Sequence, residues 1–182
     1  MTAQRIFIFT GTSGSGRKTA AHRIAAEIGI AHVSSCTDRE PRDRVRPDLD
    51  YHYVSKDRFT ELAASGAFIE AVTIGKHRYG ILKSELDAAL ASGRSLYLVL
   101  NREGADVIKR LYGETAVRLF LYVDKQTVRE RLESKGTPYD VVESYLDHYT
   151  EEVSYRKQCE HVVENMSLTR TVEQLKAIIA GY

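Results

Sequence analysis

Four apolar residues, Ile6-Phe7-Ile8-Phe9, run almost directly into Gly11-Thr12-Ser13-Gly14-Ser15-Gly16-Arg17-Lys18-Thr19. An apolar strand that breaks into a glycine-rich turn and then a helix leaves few architectures open. Such a turn points backbone N–H groups inward, and the helix adds the positive end of its dipole. Together they make a cradle for phosphate, and nucleotide chemistry is the first expectation. The match to the phosphate-loop pattern G-x-x-x-x-G-K-[ST] is imperfect. Arg17 stands where Lys is expected, and Lys18 where Ser or Thr is expected. Two registers are open. In one, Arg17 supplies the cation and Lys18 displaces the metal-binding hydroxyl. In the other, a one-residue bulge lets Lys18 and Thr19 serve as the K-[ST] pair.

The rest of the chain alternates short apolar runs with helical periodicity. Strands are expected at Arg5–Thr10, Ala31–Ser34, Tyr51–Val54, Phe68–Ile74, Ser95–Leu100, Ala116–Val123 and His161–Val163. Helices are expected at Lys18–Ile28, Asp57–Ala64, Lys83–Ala91, Glu103–Tyr112, Gln126–Lys135, from Pro138 to about Gln158, and at Val172–Ile179. This alternation predicts a parallel sheet in a three-layer α/β/α fold. Between about 35 and 80 the rhythm breaks, which reads as an inserted small lobe. Within it, Ser35 to Asp50 is polar, basic and interrupted by Pro41 and Pro47, and reads as a long functional loop.

Bulk properties narrow the class. At 182 residues, 43% apolar and 28% charged, the chain is sized for one globular domain. A net charge of +1 carries no nucleic-acid footprint. Basic residues cluster only locally, at Arg39, Arg42, Arg44 and Arg46. No stretch approaches the ~20 apolar residues that span a bilayer. Cys36 and Cys159 lack metal-ligand spacing and read as reduced thiols of a cytoplasmic protein without a leader. The six histidines show no ligand spacing and read as structural or surface residues.

Several further segments carry a resemblance. Ser35-Cys36-Thr37-Asp38-Arg39-Glu40-Pro41-Arg42 is similar to the S-x-T-T-R-x-P-R segment of guanylate kinases. Asp50-Tyr51-His52-Tyr53-Val54 resembles their D-Y-x-F-V strand, Phe68-Ile69-Glu70 their F-[LI]-E, and Tyr79-Gly80 their Y-G. Arg131-Leu132 through Lys135-Gly136-Thr137 is similar to the family's lid, and Val162-Val163-Glu164-Asn165 to its V-V-x-N strand end. The ordered set covers nearly the whole chain.

The resemblance implies P-loop nucleoside monophosphate kinase architecture and phosphorylation of GMP to GDP by ATP with Mg2+. It divides the chain into a core (about 1–34, 81–131 and 157–182), a GMP-binding lobe (about 35–80) and a helical lid (about 132–156). It assigns Arg39, Arg42, Tyr51 and Tyr79 to the GMP phosphate, and Ser35, Glu70 and Asn101 to the guanine. Gly11, Ser13, Gly14, Ser15, Gly16, Arg17, Lys18 and Thr19 fall to the ATP phosphates, with Thr19 as the candidate Mg2+ ligand. Asn165 falls to adenine, unless it caps the following helix. Arg17, Lys18, Arg131 and Lys135 fall to the transferring phosphoryl group.

The residue chemistry agrees. Two arginines three apart can fork onto one dianion. A carboxylate can accept both donors of guanine's N1–H and N2–H2 edge, a pair that adenine lacks. Taken singly, the arginines also suit a solvated face and the tyrosines simple packing. Departures gather on the ATP side: Arg17 and Lys18 in the loop, Val99 in place of a carboxylate, Ile81 in place of Ser or Thr, and Tyr145 in place of an arginine. They leave an alternative expectation, a degenerate module that binds GMP or a phosphorylated partner without turnover. A kinase for another monophosphate is the third.

Overall fold

The computed structural model describes residues 3–41, 48 and 50–182. Arg42, together with Arg44, Arg46 and Pro47 of the expected loop, lies outside the described residues.

A parallel sheet forms the centre. Its strands are β1 (Ile6–Gly11), β2 (Ala31–His32), and three later ones. To give every strand one numbering in chain order, the others are β3 (Ser35–Thr37), β4 (Tyr51–Tyr53), β5 (Phe68–Ile74), β6 (His77–Leu82), β7 (Leu96–Val99), β8 (Ala116–Tyr122) and β9 (His161–Glu164). The central order is β2-β7-β1-β8-β9. The pairings are parallel throughout, with Ile8 opposite Leu98 on one side and Arg118 on the other. Order reverses at β1, so the turn after β1 opens into the crevice where α/β sheets take their ligands.

The period of two sorts the strand side chains into two faces. Ile6, Ile8, Leu96, Leu98 and Phe120 pack with α3 (Lys83–Ala91) and α4 (Arg102–Tyr112). Phe7, Phe9, Leu119 and Leu121 pack on the opposite face with α1 (Arg17–Ile28) and α7 (Leu168–Ile179). Helix α1 forms because Ala20, Ala21, Ile24 and Ala25 share one buried face. It stops where Gly29 turns left-handed (φ 71°) and donates its N–H to Ala25 O at 2.8 Å.

A second sheet, β4-β3-β6-β5, occupies the inserted region. Helix α2 (Lys56–Ala64) packs beside it, capped by Ser55, whose Oγ accepts from Arg58 N at 3.1 Å. A single arginine ties this sheet together. Arg78 donates to Asp38 Oδ2 at 2.6 Å, to Thr60 Oγ1 at 2.9 Å and to the Lys56 carbonyl at 2.7 Å, with its guanidinium over Phe59. Burial alone would raise the Asp38 pKa; the Arg78 hydrogen bonds overcome it and hold the carboxyl below its ordinary value. Helices α5 (Lys125–Ser134) and α6 (Tyr139–Ser154) form a separate apolar contact through Val128, Leu132, Val142 and Leu146.

The expected α/β class and most elements are present, with three corrections. Ser35–Thr37, read as the start of a loop, is strand β3, because Cys36 and Thr37 are buried and pair with β4 and β6. His77–Leu82, not among the expected strands, is strand β6. The long helix expected up to about Gln158 ends at Ser154 in a 3-10 turn, Tyr155–Gln158. That turn buries Tyr155 beside Arg118, which bonds Asp106 at 3.1 Å and Glu160 at 3.1 Å.

Candidate active site

The glycine-rich turn is fixed by what surrounds it. Gly11 has φ 143°, and a Cβ there would lie 1.8 Å from the Leu121 carbonyl oxygen. Gly16 has φ 76°, and a Cβ would lie 2.9 Å from Asn165 Nδ2. Both positions therefore require glycine. Between them Ser15 N–H donates to Thr12 O at 3.2 Å, closing the loop around Ser13 and Gly14. Helix α1 opens at Arg17, and Ala20 N–H donates to Gly16 O at 3.1 Å. That spacing is regular, without the extra residue the bulged register needs. Arg17 thus holds the lysine position of the motif.

Lys18, expected at the ATP phosphates, is paired with two carboxylates. Its Nζ pairs with Asp48 and, at 2.5 Å, with Asp50, and lies 5.0 Å from the Tyr51 ring. Burial lowers the Lys18 pKa, but hydrogen bonds to Asp48 and Asp50 outweigh it and the pKa is raised. Two carboxylates outside the loop thus claim the ammonium, and it is tied to the second sheet instead of the phosphate cradle. His22 extends the tie, with Nε2 on Asp50 at 2.8 Å and Nδ1 on Tyr97 OH at 2.6 Å.

Arg17 Nη1 donates to the Gly11 carbonyl. Burial lowers its pKa, opposed by the Glu152 carboxylate. Glu152, on α6, reaches into the loop: Oε2 accepts from Ser13 N–H at 2.9 Å and Oε1 from Ser13 Oγ at 2.9 Å. A carboxylate thus sits where loop N–H groups invite an anion. Nothing in the sequence singled it out, since an acidic pair on a charged helix carries no signal of its own.

Arg131 and Asn165 hold the loop from behind. Arg131 donates to Ser15 O at 3.3 Å and Asn165 O at 2.7 Å, while Asn165 Nδ2 donates to Ser15 O at 2.7 Å. Asn165 is 4% exposed and is not the α7 cap, a position taken by Ser167. Lys135 lies exposed at the C-terminal end of α5, apart from the loop contacts.

On the second sheet, the expected acceptor residues converge. The Arg39 guanidinium lies 5.4 Å from the Tyr51 ring and 5.7 Å from that of Tyr53, and Tyr51 and Tyr79 rings are 5.9 Å apart. Ser35 opens β3, its N–H bonded to Asp50 O at 3.0 Å. Glu70 is buried beside the start of α4, and burial pushes its pKa up to about 7, partly offset by the Ile81 N–H. Asn101, expected at the base, caps α4: Oδ1 accepts from Gly104 N at 3.1 Å and Nδ2 donates to Glu103 at 2.6 Å. A cavity of about 250 Å3 lies between the loop, the start of α4 and α6, lined by Gly11, Ser13, Arg17, Ile74, Asn101 and Glu152 among others.

The positions expected to hold Mg2+ do not supply a ready ligand. Lys18 occupies the hydroxyl position, Val99 offers no donor, and Thr19 is exposed on α1. Among the described residues no three His, Cys, Asp or Glu side chains are grouped to hold a metal. No helix described is long and apolar enough to cross a membrane.

Comparison with known proteins bears on the same residues. The family model described as "Guanylate kinase" matches residues 3–182. A guanylate kinase of Anaeromyxobacter dehalogenans is 34% identical over 178 residues, covering 96% of this chain and 79% of the relative. One of Bacteroides fragilis is 31% identical over 181 residues, covering 96% and 88%. The crystal structure of guanylate kinase from Anaplasma phagocytophilum shares the fold with a TM-score of 0.80 at 22% identity, covering 99% of this chain and 86% of that one. The loop, the two-sheet arrangement and these matches agree: the chain belongs to the guanylate kinase family.

Proposed function

We propose that this protein transfers the γ-phosphoryl group of ATP to GMP, giving ADP and GDP. The observation that carries the reading is the glycine-rich loop at the switch point of the parallel sheet, where Gly11 and Gly16 admit no side chain and Arg17 opens α1. On this reading the central sheet and its helices are the ATP-binding core, residues 35–80 the GMP lobe, and 132–156 the lid. The turnover-free alternative is not the one the relatives favour.

In the proposed reaction the acceptor phosphate oxygen attacks directly, so no nucleophilic side chain is needed. The loop N–H groups and Arg17 cradle the donor phosphates, and Arg131 adds positive charge beside them. Arg39, Tyr51 and Tyr79 grip the acceptor phosphate, with Arg42 assigned there by the resemblance. Glu70 and Ser35 take the guanine, and Asn101 holds the helix that adjoins Glu70. Lys135 reaches the transferring group on lid closure. Asn165 steadies the loop and faces the adenine side. Mg2+ enters as part of the ATP substrate, held by phosphates and water, since Thr19 and its neighbours offer no ready site. Cys36 and Cys159, neither in a disulfide, suit a cytoplasmic setting, and GMP phosphorylation belongs to purine nucleotide metabolism.

Calorimetric titration tests the acceptor half. GMP is expected to bind with AMP at least tenfold weaker, and Arg39→Ala to weaken GMP more than tenfold. Equal heats from AMP and GMP would remove Glu70 from its role. An unchanged affinity in Arg39→Ala would move the phosphate site elsewhere.

A further inference from the structure

We propose that Gly104 is a positioning residue for guanine recognition: it leaves open the space into which the Glu70 carboxylate projects at the start of α4. This role rests on the acceptor reading of Glu70 given above. Glu70 is 6% exposed, and its Oε2 has no hydrogen-bond partner in the structure. A buried carboxylate oxygen left unpaired is costly, and such groups mark places where a ligand supplies the missing donor.

Three features aim the side chain. The β5–β6 register shifts between Phe68 and Glu70, and a bulge re-aims the residue after it. The Ile81 N–H donates to the carboxylate and fixes one side of it. Gly104 bounds the other side. A Cβ built there would lie 2.9 Å from Glu70 Oε2, 3.4 Å from its Cδ and 3.4 Å from Asn101 Oδ1. The Gly104 backbone is not in the left-handed region, so its conformation does not call for glycine. Glycine is also a poor residue for a first helical turn, where alanine would favour the helix. What a methyl group at 104 would displace is therefore the carboxylate beside it.

The consequence is specificity. Guanine presents N1–H and the 2-amino group in one plane, and a carboxylate accepts both only when its own plane is held to within tenths of an ångström. A methyl group at 104 would turn the carboxylate out of that plane while leaving the phosphate loop untouched.

The test uses GMP and inosine monophosphate as acceptors, since inosine monophosphate keeps N1–H and lacks the 2-amino group. Gly104→Ala is expected to raise the KM for GMP at least tenfold, to cut the GMP preference in kcat/KM at least fivefold, and to leave the KM for ATP within twofold. In a Glu70→Ala background, Gly104→Ala should alter the KM for GMP less than twofold and raise Tm, because the clash has gone. A GMP preference that survives Gly104→Ala overturns the proposal, as does a full KM penalty that persists without Glu70. If Gly104→Ala does not fold, the double variant decides: recovery of folding supports the contact, and continued failure overturns it. A wild-type protein indifferent to the 2-amino group would instead sink the acceptor reading of Glu70 itself.

Discussion

Glu70 concentrates the chemistry at the scale of single residues. Folded, it holds its proton up to about pH 7, against an ordinary value of 4.5. The stability this contributes is complete below about 4.5 and is lost as pH rises through 7. Glu70→Gln should therefore stabilise the unliganded protein by on the order of 3 kcal/mol at about pH 8, and change it little near pH 4. Urea unfolding at the two pH values checks this; the same shift at both would show that Glu70 is not held protonated. Guanine needs the ionised form as acceptor, so GMP affinity should weaken as pH falls below 7. Calorimetry across that range should also find protons released on binding near neutrality, and a pH-independent affinity would contradict the assignment. Arg17 tells a different story. It keeps the charge of the motif's lysine but donates to the Gly11 carbonyl at the start of the loop.

Among the elements, α6 has the most direct claim on catalysis. Its Glu152 takes two hydrogen bonds from Ser13, both at 2.9 Å, at the loop that the donor phosphates need. Carboxylate and phosphate compete for the same donors, and hydrogen bonds to charged groups contribute roughly 1.5–3 kcal/mol each, net of exchange with water. Glu152→Gln should tighten ATP binding about tenfold in a fluorescence or calorimetric titration while GMP affinity stays close to wild type. Weaker ATP binding in that variant would show that Glu152 supports the loop instead of competing for it. The element scale is also where sequence was most and least informative. Phe68–Ile74 and Lys83–Ala91 match expectation residue for residue, because apolar spacing and flanking glycines fix their ends. Strand β3 was hidden, since its three residues gain strand character only from partners at 51–53 and 79–80. The pairing of Lys18 was hidden for the same reason: motif spacing says which residue follows the loop, not which distant carboxylates its side chain meets. Glu152 and Gly104 gave no local signal, because each acts on a residue remote in sequence.

For the molecule as a whole, two sheets divide the labour. The parallel sheet frames the glycine-rich loop at its switch point, and the smaller sheet carries Tyr51, Tyr79 and Glu70, with Arg39 against Tyr51, as the proposed acceptor site. Lys18 and His22, both on α1, join them through Asp50, so the helix that starts at the phosphate loop also braces the acceptor strand. Lys18, the residue that departs from the pattern, is thereby a strut between α1 and the strand that follows Asp50. Transfer of label tests the whole arrangement most directly. With ATP labelled at the γ-phosphorus, GMP and Mg2+, the account predicts label appearing in GDP, dependent on GMP and suppressed by Arg39→Ala. Label that stays in ATP, or emerges only as inorganic phosphate, would contradict it.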